Sequence, residues 1–161
     1  MAVREGGGRV LLIIDVQEPF LSEKTRDAVD FIQELLRRER FRRVIQTCWR
    51  NYPGSRYETQ LGYRLGMETR PWLRCPDAKI LTRSTYSAVS EELLSLIRKE
   101  DEIYVTGLET DACVLATLFD LWDHGFSFRV CRKGVATNRE ELAEPTLALI
   151  RRQFGEQAVY E

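Results

Sequence analysis

The stretch EIYVTGLETDACVLATLFDLWDHGFSFRVCR (residues 102–132) decides the fold. It begins with a strand-like run (102–107), continues into an apolar helical pattern (112–125) and ends with a second strand-like run (126–132). Gly125 suits the position just beyond a helix, where a left-handed residue closes the last turn. Strand, helix and strand in this order predict a right-handed βαβ unit with two parallel strands.

The same alternation extends to both ends of the chain. GRVLLIIDV (8–16) is a continuous apolar run, typical of a parallel strand buried on both faces. Ser22 and Ser90 are candidate N-caps, and Pro145 is a point where a helix kinks or restarts. Further elements are predicted by the same criteria: strands at 41–49, 77–83 and 157–161, and helices at 22–40, 90–100 and 139–154. The pattern predicts an α/β protein with helices on both faces of a parallel sheet.

Length and charge limit the class of protein. The chain has 161 residues and a net charge of -1, which suits one soluble domain spanning residues 1–161. The basic runs at 37–43 and 150–154 are interpreted as solvated helix faces, so no nucleic acid or anionic membrane is predicted as a partner. The N-terminus lacks the apolar core of a signal peptide, and no apolar run approaches ~20 residues. A cytoplasmic location is therefore predicted.

Neither a metal nor another cofactor is predicted. The chain has four cysteines, which are expected to be reduced thiols, and one histidine. No CxxC pair is present, which disfavours a structural zinc site. The glycines at 6–8 precede a strand instead of following one, so they do not form a nucleotide-binding turn.

Three chemically active residues follow different predicted strands. Asp15, Arg83 and Cys113 all fall at carboxyl ends, the edge at which open α/β sheets bind ligands. A thiol in the first turn of a helix is expected to have a lowered pKa and to act as a nucleophile. His124 lies three turns further along the helix, which leaves Asp15 as the candidate base. The alternatives are a capping charge for Asp15, an ion-pair partner for Arg83 and a small buried hydrophobe for Cys113.

A long irregular segment at 50–76 is rich in aromatic residues and glycines, Gly66 among them. Loops of this length in compact domains are usually lids or binding loops. Internal packing of these aromatic rings is the alternative. The residues predicted to form the walls of a substrate site are Phe20, Trp49, Asn51, Tyr52, Tyr57 and Tyr86.

Three segments together resemble a known family. LLIIDVQEPF (11–20), TRSTYSAV (82–89) and VTGLETDACVLAT (105–117) resemble, in order and spacing, motifs of the isochorismatase-like cysteine hydrolases. The resemblance covers roughly residues 9–137. It implies a Rossmann-like, three-layer α/β/α fold with a five- to six-stranded parallel sheet.

The resemblance also implies roles for individual residues. Asp15 corresponds to the general acid/base and Cys113 to the nucleophile, and the amides of Glu109 and Cys113 to an oxyanion hole. A cis peptide bond is implied between Leu108 and Glu109. A small residue is usual at the position of Glu109, so its carboxylate is expected either to reach into the substrate pocket or to pair with an arginine.

Two departures from the family affect its chemistry. Arg83 stands where the family has lysine, and arginine is always charged and therefore a poor proton donor. It can still hold Asp15 and favour a thiolate by its charge. Metal-binding members carry an aspartate and a histidine after the second strand, whereas CWRNYPGSRY (48–57) has no histidine. The absence of a metal, and a substrate other than nicotinamide, are therefore predicted.

The resulting prediction is a cysteine hydrolase that cleaves a C–N bond in a small amide or carbamoyl-type compound through a thioester. The resemblance implies a homo-oligomer, either a dimer or a tetramer. The alternative is a catalytically silent relative that binds a small molecule or a protein, because Arg83 replaces lysine. A third interpretation is a redox-responsive protein in which Cys113 is oxidised reversibly.

Overall fold

The computed structural model describes residues 6–63 and 70–161, and its centre is a six-stranded sheet in which every described pair of neighbouring strands is parallel. The strands are β1 (Arg9–Ile14), β2 (Arg43–Trp49), β3 (Lys79–Arg83), β4 (Glu102–Leu108), β5 (Ser127–Ala136) and β6 (Val159–Tyr160). Their spatial order is β3-β2-β1-β4-β5-β6. The helices are α1 (Arg26–Arg38), α2 (Arg56–Thr59), α3 (Glu91–Leu96), α4 (Leu115–Asp123) and α5 (Glu140–Phe154).

The sheet is buried on both faces, which confirms the predicted three-layer α/β/α fold. Alternate residues of β1 point in opposite directions, as the two-residue period of a strand requires. Leu12 packs in a core cluster with residues of α3, α4 and α5. Its neighbour Ile13 packs in a second cluster with Val29 and Ile32 of α1. Each face of the sheet is therefore covered by helices whose apolar residues recur at helical spacing.

Several predicted boundaries shift by a few residues. The helix predicted from Ser22 begins at Arg26, because Ser22 lies in a preceding turn, where its amide donates to the Thr25 hydroxyl at 2.9 Å. The prediction for Ser90 is confirmed: its hydroxyl accepts a hydrogen bond from the Leu93 amide. Helix α5 continues through Pro145 without a restart. Residues 64–69 of the predicted long loop, Gly66 among them, lie outside the described residues.

The carboxyl ends of β1 and β4 lie side by side at the point where the strand order reverses. Gly107 of β4 pairs with Ile14 and has a φ of 128°. A Cβ atom at Gly107 would lie 2.1 Å from the Ile14 carbonyl oxygen, so only glycine allows this approach. The approach brings the residues that follow β4 directly over the residue that follows β1.

β5 is longer than predicted and leaves the regular register. Val105 pairs with Val130, but Gly107 pairs with Val135, so β5 advances five residues while β4 advances two. This irregularity carries the chain from Val135 to Asn138 back to the edge at which β1 and β4 end. In the described ranges, no helix has both the length and the apolar character needed to cross a bilayer.

Candidate active site

Asp15 occupies the first position after β1 in a left-handed conformation, with a φ of 51°. Its side chain is 1% exposed. The backbone amide of Asp15 donates to the Thr47 carbonyl oxygen at 3.2 Å, and the Thr47 hydroxyl donates to Oδ1 at 2.8 Å. A non-glycine residue in this conformation is strained. Contacts with β2 therefore hold the Asp15 carboxylate in place at the end of its strand.

Arg83 neutralises this buried carboxylate. Its Nη1 and Nη2 donate to Oδ1 and Oδ2 of Asp15, each at 2.8 Å, in a two-pronged ion pair. Nε donates to the Ser87 carbonyl oxygen at 2.9 Å, and Nη2 also donates to the Tyr86 carbonyl oxygen at 2.8 Å. Burial alone would lower the pKa of Arg83, but the Asp15 carboxylate raises it above its ordinary value. Arg83 is thus a permanent cation with all three nitrogens engaged.

Cys113 completes a cluster of three. It lies in a π-helical turn, Thr110–Val114, that precedes α4, and its side chain is 7% exposed. Its thiol lies close enough to the Asp15 carboxylate and the Arg83 guanidinium for both charges to act on its pKa. The structure therefore brings together the three residues that the sequence placed at separate strand ends.

The predicted lowering of the Cys113 pKa is wrong. Burial raises the pKa of the thiol far above its ordinary value, the negative charge of Asp15 raises it further, and Arg83 only partly opposes them. An enclosed thiol next to a carboxylate loses more by ionising than it gains from the helix dipole. Cys113 is therefore a protonated thiol at rest.

Thr117 joins the Cys113 turn to the segment that follows β3. Its hydroxyl donates to the Cys113 carbonyl oxygen at 2.7 Å and accepts from the Ala88 amide at 2.9 Å. This bridge gives a physical reason for the threonine four residues after the cysteine. It fixes Cys113 relative to the segment that also supplies the carbonyl partners of Arg83.

Glu109 turns the chain between β4 and the π-helical turn. It has a left-handed conformation (φ 58°, ψ 71°), and the peptide bond between Leu108 and Glu109 is trans. The cis bond implied by the resemblance is thus wrong for this chain, because positive φ values at Gly107 and Glu109 reverse the direction of the backbone instead.

The Glu109 carboxylate is held by neutral donors. It accepts from the Thr137 hydroxyl at 3.1 Å, from the Asn138 amide at 3.2 Å and from the Asn138 side-chain nitrogen. Of the two predicted alternatives, the structure has Glu109 at the pocket wall. In the part of the chain that is described, no arginine pairs with it.

A cavity of about 500 Å³ opens above Cys113. Four residues predicted to form a substrate site line it: Phe20, Trp49, Tyr57 and Tyr86. The ring centroids are 6.3 Å apart for Phe20 and Trp49, 5.0 Å for Trp49 and Tyr57, and 5.0 Å for Tyr57 and Tyr86. The first contact is tilted and the other two are edge to face, and together they join the four rings into one continuous wall.

The other two predicted wall residues, Asn51 and Tyr52, are not in the cavity lining. The Asn51 side chain turns inward, where it donates to the Tyr63 carbonyl oxygen at 2.7 Å and accepts from the Ser55 hydroxyl at 2.6 Å. These bonds hold together the two ends of the segment that carries Tyr57. Tyr52 is exposed to solvent.

Sequence analysis missed several residues of this site. Thr47 supports Asp15, but only strand register reveals that it lies beside it. Asn138 comes shortly after the strand predicted at 126–132, and this position was a usable signal. Its bond to Glu109 nevertheless depends on the irregular register of β5. Further residues that line the cavity are Pro19, Tyr63, Asp111, Ala112, Arg139 and Leu142.

The side chains that could ligate a metal ion are dispersed in the described part of the chain. Within residues 6–63 and 70–161, no three His, Cys, Asp or Glu side chains are grouped so that they could hold a metal ion. The donor groups in these ranges therefore do not fit a resident metal ion.

Comparisons with known proteins agree with this architecture. The family model described as isochorismatase domain matches residues 9–159. No curated protein sequence matches the chain significantly. Among solved structures, a nicotinamidase from Bacillus subtilis has a TM-score of 0.75 at 22% identity, with 95% of this chain and 99% of that one covered.

Two further solved structures are similar. A pyrazinamidase of Pyrococcus horikoshii in complex with zinc has a TM-score of 0.75 at 18% identity, covering 94% of this chain and 96% of that one. An N-carbamoylsarcosine amidase from Thermoplasma acidophilum has a TM-score of 0.73 at 16% identity, covering 95% of both chains. At these identities the likeness shows a shared fold.

Proposed function

This chain belongs to the isochorismatase domain family, and from that premise we propose that it is a cysteine hydrolase that cleaves a C–N bond in a small amide or carbamoyl-type compound. The observation that carries the proposal is the proximity of Cys113 to the Asp15–Arg83 ion pair beneath the cavity. A nucleophile, a proton acceptor and a fixed cation are the parts that acyl transfer through a thioester requires. All three similar structures reported above are amidases by name, which agrees with such a substrate.

The first step is attack by the thiol. In the resting site Cys113 is protonated and Asp15 is the nearby proton acceptor. As the S–C bond forms, the thiol proton passes to Asp15, and the carbonyl oxygen takes up negative charge. The proposed stabilising donors are the backbone amides of Glu109 and Cys113 at the turn that faces the cavity. The thiolate therefore forms only in the presence of a substrate.

The second step expels the amine. The carbonyl re-forms, the C–N bond breaks, and Asp15 returns its proton to the leaving nitrogen. The products of this half-reaction are a free amine and a thioester on Cys113, with Asp15 again a carboxylate.

Water then completes the reaction. Asp15 takes a proton from the water as its oxygen bonds to the thioester carbon. The C–S bond breaks, and the sulfur recovers the proton from Asp15. The sum is one amide and one water converted to one carboxylic acid and one amine.

Arg83 acts through charge and position. Its raised pKa means that it gives up no proton at any working pH, so it cannot replace a lysine as an acid. Its two-pronged contact orients the Asp15 carboxylate. Its positive charge offsets the negative charge that moves between Asp15 and Cys113.

One observation favours a second candidate, a small-molecule binding protein without turnover. All three nitrogens of Arg83 are engaged, and the Cys113 thiol is protonated at rest. A site that never releases the thiol proton would retain the cavity and bind without reacting. The two candidates differ only in whether a thioester forms.

The test is a screen of small amides with the wild-type chain, Cys113→Ser and Cys75→Ser. Cys75 lies outside the cavity and is the matched control. We expect release of the amine by wild type and Cys75→Ser, an acyl adduct on Cys113 in rapid-quench mass spectrometry, and no turnover by a folded Cys113→Ser. Turnover retained by Cys113→Ser would refute the mechanism. Saturable binding without any adduct would establish the binding protein.

Location and assembly are also proposals. The chain is proposed to be cytoplasmic, with a small molecule and a second copy of itself as partners, and without nucleic acid or membrane. The four cysteines are free thiols, which agrees with a reducing compartment. Light scattering coupled to size-exclusion chromatography measures the assembly directly.

A further inference from the structure

The cavity above Cys113 contains more negative than positive charge. Glu109 and Asp111 both line it, and within the described ranges neither carboxylate forms an ion pair with a lysine or an arginine. Oδ1 of Asp111 is buried without a hydrogen-bond partner. A half-buried carboxylate with one unpartnered oxygen is stabilised when a positive group comes close to it.

The cations near the cavity do not cancel this charge. Arg83 is already neutralised by Asp15 in the two-pronged ion pair. Arg139 is on the lining, but its side chain is largely exposed and lies 3.9 Å from Glu141. Its charge is therefore screened by water and shared with another carboxylate.

Another part of the cavity lining is aromatic. Trp49, Tyr57 and Tyr86 are joined edge to face, and Tyr63 also lines the cavity. Aromatic faces attract cations through their quadrupole, and several rings around one site favour an ammonium or quaternary ammonium group. Cys113 lines the same cavity as Tyr57 and Tyr86, so this wall and the reacting thiol face one space.

We propose that the substrate carries a positive charge: its carbonyl reacts at Cys113, and an ammonium or quaternary ammonium group at its other end contacts the aromatic wall and the carboxylates of Glu109 and Asp111. This inference rests on the proposed function, because it names the substrate class of the same site. The volume of about 500 Å³ suits a small molecule with both groups.

The test uses two amides of the same shape. One is trimethylammonioacetamide, and the other is 3,3-dimethylbutanamide, in which carbon replaces the charged nitrogen. We expect wild type to hydrolyse the charged amide with a kcat/KM at least about tenfold higher, a preference of the size that one desolvated cation–π contact supports. High salt should reduce the preference, because the charges are screened.

Three variants show where the preference arises. Asp111→Asn and Tyr86→Leu should each reduce the ratio of the two kcat/KM values toward one. Asp123→Asn is the matched control, because Asp123 is exposed at the far end of α4 and should leave the ratio unchanged. A reduced ratio distinguishes charge selection from loss of structure, which lowers both rates together.

Binding to Cys113→Ser, measured by calorimetry, separates this inference from the proposed function. If wild type hydrolyses neither amide but Cys113→Ser binds the charged one at least tenfold more tightly, the hydrolase proposal fails and charge selection stands. If wild type hydrolyses the neutral amide equally well or better, charge selection is refuted and the hydrolase stands. Equal binding, or no binding of either amide to Cys113→Ser together with no turnover by wild type, overturns charge selection.

Discussion

Replacement of Arg83 tests the site most directly. Arg83 donates four hydrogen bonds, two of them to an Asp15 carboxylate that is almost entirely enclosed. Arg83→Met would leave that carboxylate buried without a cation, which costs about 3–5 kcal/mol of unfolding free energy. Arg83→Lys keeps the charge on a single nitrogen that cannot reach both carboxylate oxygens and both carbonyls. Its expected cost is about 2–3 kcal/mol, the net value of one or two charge-assisted hydrogen bonds.

The assay is urea unfolding at pH 7, followed by the fluorescence of the three tryptophans. Arg132→Met is the control, because Arg132 pairs with Glu144 and Glu161 on the surface and should cost under about 1 kcal/mol. The double variant Asp15→Asn/Arg83→Met should lose less unfolding free energy than the two single variants together. The difference should be at least about 2 kcal/mol. Such a recovery isolates the energy of the pair itself.

Activity is measured on the same variants. Arg83→Lys should hydrolyse amides at a rate within about tenfold of the wild-type rate, since the cation beside Asp15 remains. Arg83→Met should abolish hydrolysis. If Arg83→Met unfolds at the wild-type midpoint, or hydrolyses amides at the wild-type rate, then Arg83 does not have the role assigned to it beside Asp15. Equal losses of unfolding free energy in Arg83→Lys and Arg83→Met would show that the positive charge is irrelevant. Only the two-pronged contact of the guanidinium would then matter.

Two further predictions concern the residues around the thiol. Cys113 has a raised pKa in the folded state, whereas the unfolded thiol ionises near its ordinary value of 9.0, so stability should be lost as the pH rises through 9. From pH 8 to pH 10, urea unfolding should show wild type losing about 1.4 kcal/mol relative to Cys113→Ser; parallel curves for the two proteins would contradict the pKa shift. Gly107→Ala should cost at least about 3 kcal/mol or prevent folding, because its new methyl group would overlap the Ile14 carbonyl; a thermal midpoint unchanged from wild type would show that the strands can separate there.

The fold could be predicted from local patterns. Apolar runs mark β1, β2 and β4 as strands, and alternation with helical patterns implies a parallel sheet. Ligands bind at the carboxyl ends of the strands in such sheets, and this rule predicted that Asp15, Arg83 and Cys113 lie at one edge. The order of the strands and the extension of β5 to Ala136 were not predictable in this way, because they depend on pairing between distant segments.

The properties of the site residues were predicted less well than their positions. The helix dipole at Cys113 is a local feature, but burial and the Asp15 charge are tertiary features that reverse the sign of its pKa shift. Asn51 was predicted to face a substrate because it lies in the long aromatic loop. Its actual partners, Ser55 and Tyr63, become apparent only when the loop closes on itself.

The enclosed, protonated thiol has a consequence for reagents. Peroxide and simple alkylating agents consume a thiolate that is already present, and Cys113 offers almost none. In the proposed mechanism, by contrast, the thiol attacks a nitrile or an aldehyde while Asp15 takes the thiol proton, as it would with a substrate. Covalent probes for Cys113 should therefore be built on such groups, and Cys113 should remain a thiol in preparations without added reductant.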